Sequence, residues 1–208
     1  MNKLIALDAD GVIFDYRAAF ARAWQKRYGY ALELKEPRAF KYTQAYAIDW
    51  QGEDEAHFFN TSFTEEAYVS MPLMSGAFEA LGALSAAGNV LVIVTAMGPE
   101  FLQARIKSCE LHGLPIHAVH ATGDKHDGTN PKAQILNALQ PAVFVDDITA
   151  YFAGLADGIH RAFINYQWID CLSRGKEIRY HSEHSNLKVF ADFWIHHRGK
   201  NNHENVEE

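Results

Sequence analysis

An α/β fold with a doubly wound, parallel, Rossmann-like sheet is predicted by three observations. Short apolar runs alternate with segments of helical periodicity along most of the chain. Two of those runs, residues 89–95 and 142–146, are continuous and rich in β-branched side chains, as expected of strands covered on both faces. Finally, carboxylates or a threonine stand at the C-terminal ends of the runs, the edge where open α/β sheets bind ligands.

In chain order, residues 3–7 form an apolar run that stops at Asp8, Asp10 and Gly11. Phe20, Ala23, Trp24 and Tyr28 then recur at helical spacing, which predicts a helix over 16–28 with Asp15 as N-cap and Gly29 as its stop. Residues 30–70 carry many aromatics and no strand alternation, so a small helical subdomain is expected there. A helix over 75–87 with Phe78, Leu81 and Leu84 on one face leads into the strand 89–95. Pro99 opens a further helix bearing Phe101, Leu102, Ile106 and Cys109, and a short strand follows at 116–120. Pro131 precedes the next helix, 142–146 is a buried strand, 148–156 reads as a short helix, and 159–165 is a fifth strand. A last helix is expected over 187–195. The resulting division is a core of 1–15 and 75–196, a helical cap of 16–74 and a polar tail of 197–208.

Composition bounds the partners. The chain has 208 residues, 48% of them hydrophobic and 22% charged, with no apolar run near the 18 or so residues of a membrane span. Its formal net charge of −7 opposes nucleic acid and acidic membrane surfaces, while leaving room for a small phosphorylated substrate in a locally positive cleft. Leu4 to Leu7 run straight into Asp8, unlike a secretory signal, so a soluble cytoplasmic protein is expected. Cys109 and Cys171 fit neither a disulfide framework nor a metal motif and read as reduced, buried thiols. The histidines, among them His181, His184, His196, His197 and His203, match no zinc spacing and read as surface or tail residues.

Four polar stations sit at strand or helix ends: Asp8 with Asp10, Thr95, Lys132, and Asp146 with Asp147. Crowded carboxylates repel and would take up protons unless a cation joins them; an all-oxygen donor set of Asp8, Asp10, Asp146 and Asp147 favours Mg²⁺. Phosphoryl transfer needs a nucleophile, an acid for the leaving oxygen and fixed groups for the phosphoryl oxygens, which Asp8, Asp10 and the Thr95/Lys132 pair can supply. Taken singly, each station has a plainer reading: DxDG as a turn, Thr95 bonded to its own backbone, Asp147 as an N-cap, Lys132 as a solvated helix residue.

Together, the order and spacing of DADGVIFD at 8–15, Thr95, Lys132 and VFVDD at 143–147 resemble the haloacid dehalogenase superfamily over residues 1–165. That resemblance implies Asp8 as nucleophile forming an aspartyl-phosphate and Asp10 as acid, then base. It further implies Thr95 and Lys132 on the phosphoryl oxygens. Mg²⁺ would sit on the Asp8 carboxylate, the Asp10 backbone carbonyl and Asp146, with Asp147 behind. Dehalogenases resemble this pattern but lack an acid two residues after the nucleophile, so phosphate chemistry is favoured.

Lys125, in an Asp124-Lys125 pair, is an alternative to Lys132, which is preferred because Pro131 sets it at a helix start fourteen residues before Asp146. Arg38, Lys41 and Tyr42 of the cap could reach a substrate, which could be a nucleoside monophosphate, a sugar phosphate or a phosphoglycolate-like compound. A phosphomutase, or a non-catalytic binding module on the same fold, remain rival readings.

Overall fold

In a computed structural model, residues 3–50, 52, 54–123, 129–169 and 179–201 are described. Six strands form one all-parallel sheet: β1 (Leu4–Leu7), β2 (Val90–Thr95), β3 (Ala118–Ala121), β4 (Val143–Asp146), β5 (His160–Ile164) and β6 (Ser182–His184). Their order is β3-β2-β1-β4-β5-β6. β1 therefore lies between β2 and β4, the point where the winding reverses and a crevice opens beyond the strand ends. The eight helices among the described residues are α1 (Tyr16–Tyr28), α2 (Tyr42–Ala45), α3 (Glu55–Ser62), α4 (Glu65–Val69), α5 (Ala77–Ala86), α6 (Leu102–Leu111), α7 (Ala133–Leu139) and α8 (Leu187–Asn201). None is long and apolar enough to cross a membrane.

Successive strand residues point to opposite faces, and the core divides accordingly. Ile5, Leu7, Leu91, Ile93, Val143 and Val145 join one cluster, with Leu81 and Leu84 of α5 and Phe190 of α8. Ala6, Val92, Val94 and Phe144 join the other, under Leu136 of α7. Among the described residues, the helical stretch between β1 and β2 has no core separate from the first cluster. Phe20, Trp24, Phe58 and Phe63 continue the first cluster, with Phe20 stacked on Tyr42 at 4.2 Å and set against Phe58 at 5.1 Å.

α1 has the expected caps: Ala18 N–H donates to the Asp15 carboxylate at 2.9 Å, and Gly29 ends it at φ 77°. Elsewhere the structure corrects the expectation. On α5 the buried face is Ala77, Ala80, Leu81 and Leu84, an i, i+3, i+4, i+7 stripe that leaves Phe78 53% exposed. On α6 it is Ala104, Arg105, Ser108 and Cys109. The expected helix at 148–156 shortens to a 3₁₀ turn, Thr149–Phe152. β6 is an additional strand, and it buries His184, whose Nε2 lies 2.9 Å from Ser182 Oγ; His181 and His196 stay exposed, and His203 lies outside the described residues. Cys109 is free and buried as expected, while Cys171 lies outside the described residues.

Because Phe20 has no exposed surface and sits among five aromatic rings, Phe20→Ala is expected to destabilise by ~3–5 kcal/mol in a denaturant titration.

Candidate active site

The carboxyl edge of the sheet brings the four polar stations together. Asp8 directly follows β1 and extends its pairing with β4, its N–H donating to Val145 O at 2.8 Å. Asp146 ends β4, so the two carboxylates lie side by side. Lys132 enters from the start of α7 and is fully buried; its Nζ is 2.7 Å from Asp8 Oδ1 and 2.7 Å from Asp146 Oδ2. The turn that delivers it is fixed by Asn130, whose Oδ1 accepts from Lys132 N–H at 2.9 Å and whose Nδ2 donates to Ala153 O at 3.0 Å. Lys125 lies outside the described residues.

Carboxylate oxygens of Asp8, Asp146 and Asp147 lie within 4.8 Å of one another, all three residues buried. Gly11 makes room for Asp147. At φ 88°, a Cβ there would collide with Asp147 Oδ2. Among the described residues the three carboxylates cluster around the Lys132 ammonium, and the electrostatics follow. Burial raises the pKa of Asp146 to about 7, with Lys132 opposing and Asp8 adding to the rise. Burial, reinforced by Asp146 and Asp8, holds Asp147 well above the usual carboxylate range. For Lys132 burial works against the charge, but Asp146 and Asp8 outweigh it and raise its pKa. An all-oxygen group of three buried carboxylates fits a hard divalent cation such as Mg²⁺.

Asp10 stands apart from that trio. Its carboxylate accepts from Arg105 Nη2 at 2.5 Å. Burial raises its pKa, with Arg105 opposing and Asp8 adding. Thr95, at the end of β2, is buried, and its Oγ1 accepts from Met97 N–H at 3.3 Å. Its hydroxyl proton is thereby left to donate elsewhere.

Asp8, Asp10, Thr95, Lys132 and Asp147 open onto one cavity of about 350 Å³. Asp146 is not on its wall, being tied to Lys132 and to Ile148 N–H at 2.8 Å. Lys41 and Tyr42 line the cavity and Arg38 does not; Arg17 lines it instead. Arg17 Nη1 donates to Pro37 O at 3.0 Å and Ala39 O at 2.9 Å, and its guanidinium lies 4.1 Å over the Trp168 ring. Five further aromatics, Tyr16, Phe40, Tyr68, Tyr151 and Trp168, line it together with the aliphatic and thioether side chains of Ile148, Met74 and Met97. Backbone bonds between Phe40 N–H and Ile169 O, 3.1 Å, and between Ile169 N–H and Arg38 O, 2.7 Å, fasten the segment after β5 to the helical stretch. Nothing in the sequence singles out Arg17, Trp168 or Arg105. Arg17 and Arg105 read as polar positions between helical apolar ones, and Trp168 lies in a stretch without periodicity.

No family model matches the chain, and none of the curated proteins does. Solved structures do match in shape. The L-2-haloacid dehalogenase from Xanthobacter autotrophicus, with chloropropionic acid covalently bound, is 16% identical with TM-score 0.58, covering 93% of this chain and 98% of that one. A HAD family hydrolase from Deinococcus radiodurans R1 with bound phosphate and sodium is 17% identical with TM-score 0.59, covering 93% and 97%. The putative HAD-hydrolase YfnB from Bacillus subtilis, bound to magnesium, is 15% identical with TM-score 0.57, covering 92% and 98%. The chain thus has the haloacid dehalogenase superfamily fold, with an all-parallel Rossmann-like sheet.

Two outcomes test this geometry. Gly11→Ala is expected to destabilise by ~1–3 kcal/mol, from left-handed strain and the collision with Asp147; an unchanged denaturation midpoint would contradict it. For Asp147 the sign is worked from its raised pKa. Above the ordinary value of 3.8, the folded chain keeps a proton that the unfolded chain has lost, so stability falls as pH rises. Without divalent cation, the stability of Asp147→Asn relative to the parent should therefore grow from pH 4 to pH 7. Added Mg²⁺ should shrink that difference.

Proposed function

We propose that the chain is a Mg²⁺-dependent phosphomonoesterase that acts on a small phosphorylated metabolite in the cytoplasm through an aspartyl-phosphate. The observation that carries this reading is one buried edge where Lys132 joins Asp8 to Asp146 while a second acid, Asp10, stands two residues from the nucleophile candidate. A haloacid dehalogenation displaces halide from carbon with a carboxylate, and it needs neither a proton donor for the leaving group nor a cation-binding acidic trio. Ester phosphate needs both.

In this mechanism Asp8 attacks phosphorus with one carboxylate oxygen while Lys132 holds Oδ1, which orients the nucleophile. Asp10 gives a proton to the ester oxygen as the P–O bond breaks, and its raised pKa suits an acid that must hold a proton nearer neutrality. In the second half Asp10 takes a proton from the water that attacks phosphorus, which frees Asp8 and inorganic phosphate. The Thr95 hydroxyl donates to a phosphoryl oxygen, and the Lys132 ammonium lies within the same buried group. Asp8, Asp146 and Asp147, with the Asp10 backbone carbonyl, would hold Mg²⁺, which supplies charge neutralisation for the carboxylates and the phosphoryl oxygens.

Residues 16–74 act as a cap on a core of 1–15 and 75–196; α8 runs on to Asn201, past the 196 boundary expected from the sequence, and 202–208 lie outside the described residues. The aromatic wall with Lys41, Tyr42 and Arg17 receives the leaving group, whether of a nucleoside monophosphate, a sugar phosphate or a phosphoglycolate-like compound. With p-nitrophenyl phosphate, turnover is expected only with Mg²⁺ present, and Asp8→Asn should lower kcat at least about a thousandfold. Equal rates in Asp8→Asn and the parent would overturn the mechanism.

A further inference from the structure

Arg105, in the first half of α6, has a wholly buried side chain. A guanidinium removed from water costs several kcal/mol unless it is paired. Packing alone does not call for one here, since its buried neighbours on α6, Ala104, Ser108 and Cys109, are small and uncharged. Its charge is directed at one atom. Nη2 donates to Asp10 Oδ1 at 2.5 Å, Nη1 reaches only the soft sulfur of Met71 at 3.6 Å, and Nε–H finds no acceptor among the described residues. The guanidinium lies 4.2 Å over the Phe14 ring and 5.5 Å from the Tyr68 ring, and Tyr68 is itself stacked on Phe101 at 4.4 Å. A planar cation held against aromatic faces has little freedom to turn. What it holds is equally fixed.

Arg105 does not reach the cavity, whereas Asp10 does. It also accounts for a second feature: Asp10, though it sits between Asp8 and Gly11 in the turn, is not part of the carboxylate group formed by Asp8, Asp146 and Asp147. Drawn toward Arg105, the Asp10 side chain is kept off the site suited to a cation.

We propose that Arg105 is a positioning residue for Asp10, committing Oδ1 so that Oδ2 is the oxygen that exchanges a proton with substrate and water. The proposal rests on the phosphomonoesterase reading. The proton on Oδ2 passes to the ester oxygen as the bond from phosphorus to that oxygen breaks and the bond from Asp8 to phosphorus forms. Oδ2 regains a proton from the attacking water as that water bonds to phosphorus and Asp8 departs as carboxylate. Arg105 itself neither gives nor takes a proton.

The test compares phenyl phosphate with p-nitrophenyl phosphate, two substrates of similar shape whose leaving groups differ in their need for a proton. Arg105→Met is expected to lower kcat/KM at least about tenfold for phenyl phosphate and less than about threefold for p-nitrophenyl phosphate, since assistance by a general acid matters most for the poorer leaving group. Arg105→Lys, which keeps the charge but loses the planar fork, should fall between the parent and Arg105→Met. In an Asp10→Asn background, adding Arg105→Met should cost nothing further, because the residue acts through Asp10. A purely structural arginine would slow both esters alike and act additively with Asp10→Asn; either result overturns the proposal. Should Arg105→Met fail to fold, Arg105→Lys carries the same two comparisons. A parent that hydrolyses neither ester overturns the phosphomonoesterase reading and this proposal together, whereas an active parent indifferent to Arg105 overturns this proposal alone.

Discussion

Lys132 Nζ sits 2.7 Å from a carboxylate on each of two adjacent strands, and the arrangement of the site depends on that bridge. Asp8 and Asp146 follow or end β1 and β4, which pair in register from Ile5 with Val143 to Leu7 with Val145. The parallel sheet therefore puts the two acids side by side wherever the chain goes next. Burying them costs several kcal/mol each unless charge is returned at close range. α7 returns it, with Asn130 fixing the turn that points Lys132 inward. The bridge brings two of three clustered, buried acids together, and the all-oxygen group of Asp8, Asp146 and Asp147 suits the edge to a divalent cation.

The rest of the cavity is built from parts far apart in sequence. α1 supplies Tyr16 and Arg17, the loop before α2 supplies Phe40 and Lys41, and the segment after β5 supplies Trp168. The pairing of Phe40 and Ile169 backbones, and the Arg17 guanidinium over Trp168, join the helical stretch to the sheet at the mouth of the site. Stability and selection share these residues: the aromatic layer that closes the core around Phe20 also carries Tyr42 to the cavity wall. In the proposed function, this wall decides which ester enters, while the sheet edge decides what happens to its phosphate.

Much of this was legible in the sequence because strand ends are local features. An apolar run stopping at Asp8, at Thr95 and at Asp146 marks both the strand and the edge where its last residue must face. Lys132 could be placed because Pro131 fixes a helix start. What the sequence hid were residues whose role depends on packing between elements. Arg105 reads as a solvent-facing position if Phe101, Leu102, Ile106 and Cys109 define the buried face; α6 is rotated so that Ala104 and Arg105 are inside, and only the position of Asp10 explains the charge. Trp168 meets Arg17 across a long sequence separation with no periodicity to announce it. β6, three residues long and containing two polar side chains and a histidine, has no apolar alternation; its partner β5 defines it.

In the proposed mechanism Asp8 carries the phosphoryl group. Borohydride reduction of the protein quenched during turnover of p-nitrophenyl phosphate with Mg²⁺, followed by peptide mapping, tests it most directly. An acyl-phosphate at position 8 is expected to be reduced to homoserine. Phosphate release with Asp8 recovered unmodified, or homoserine at another aspartate, would contradict it.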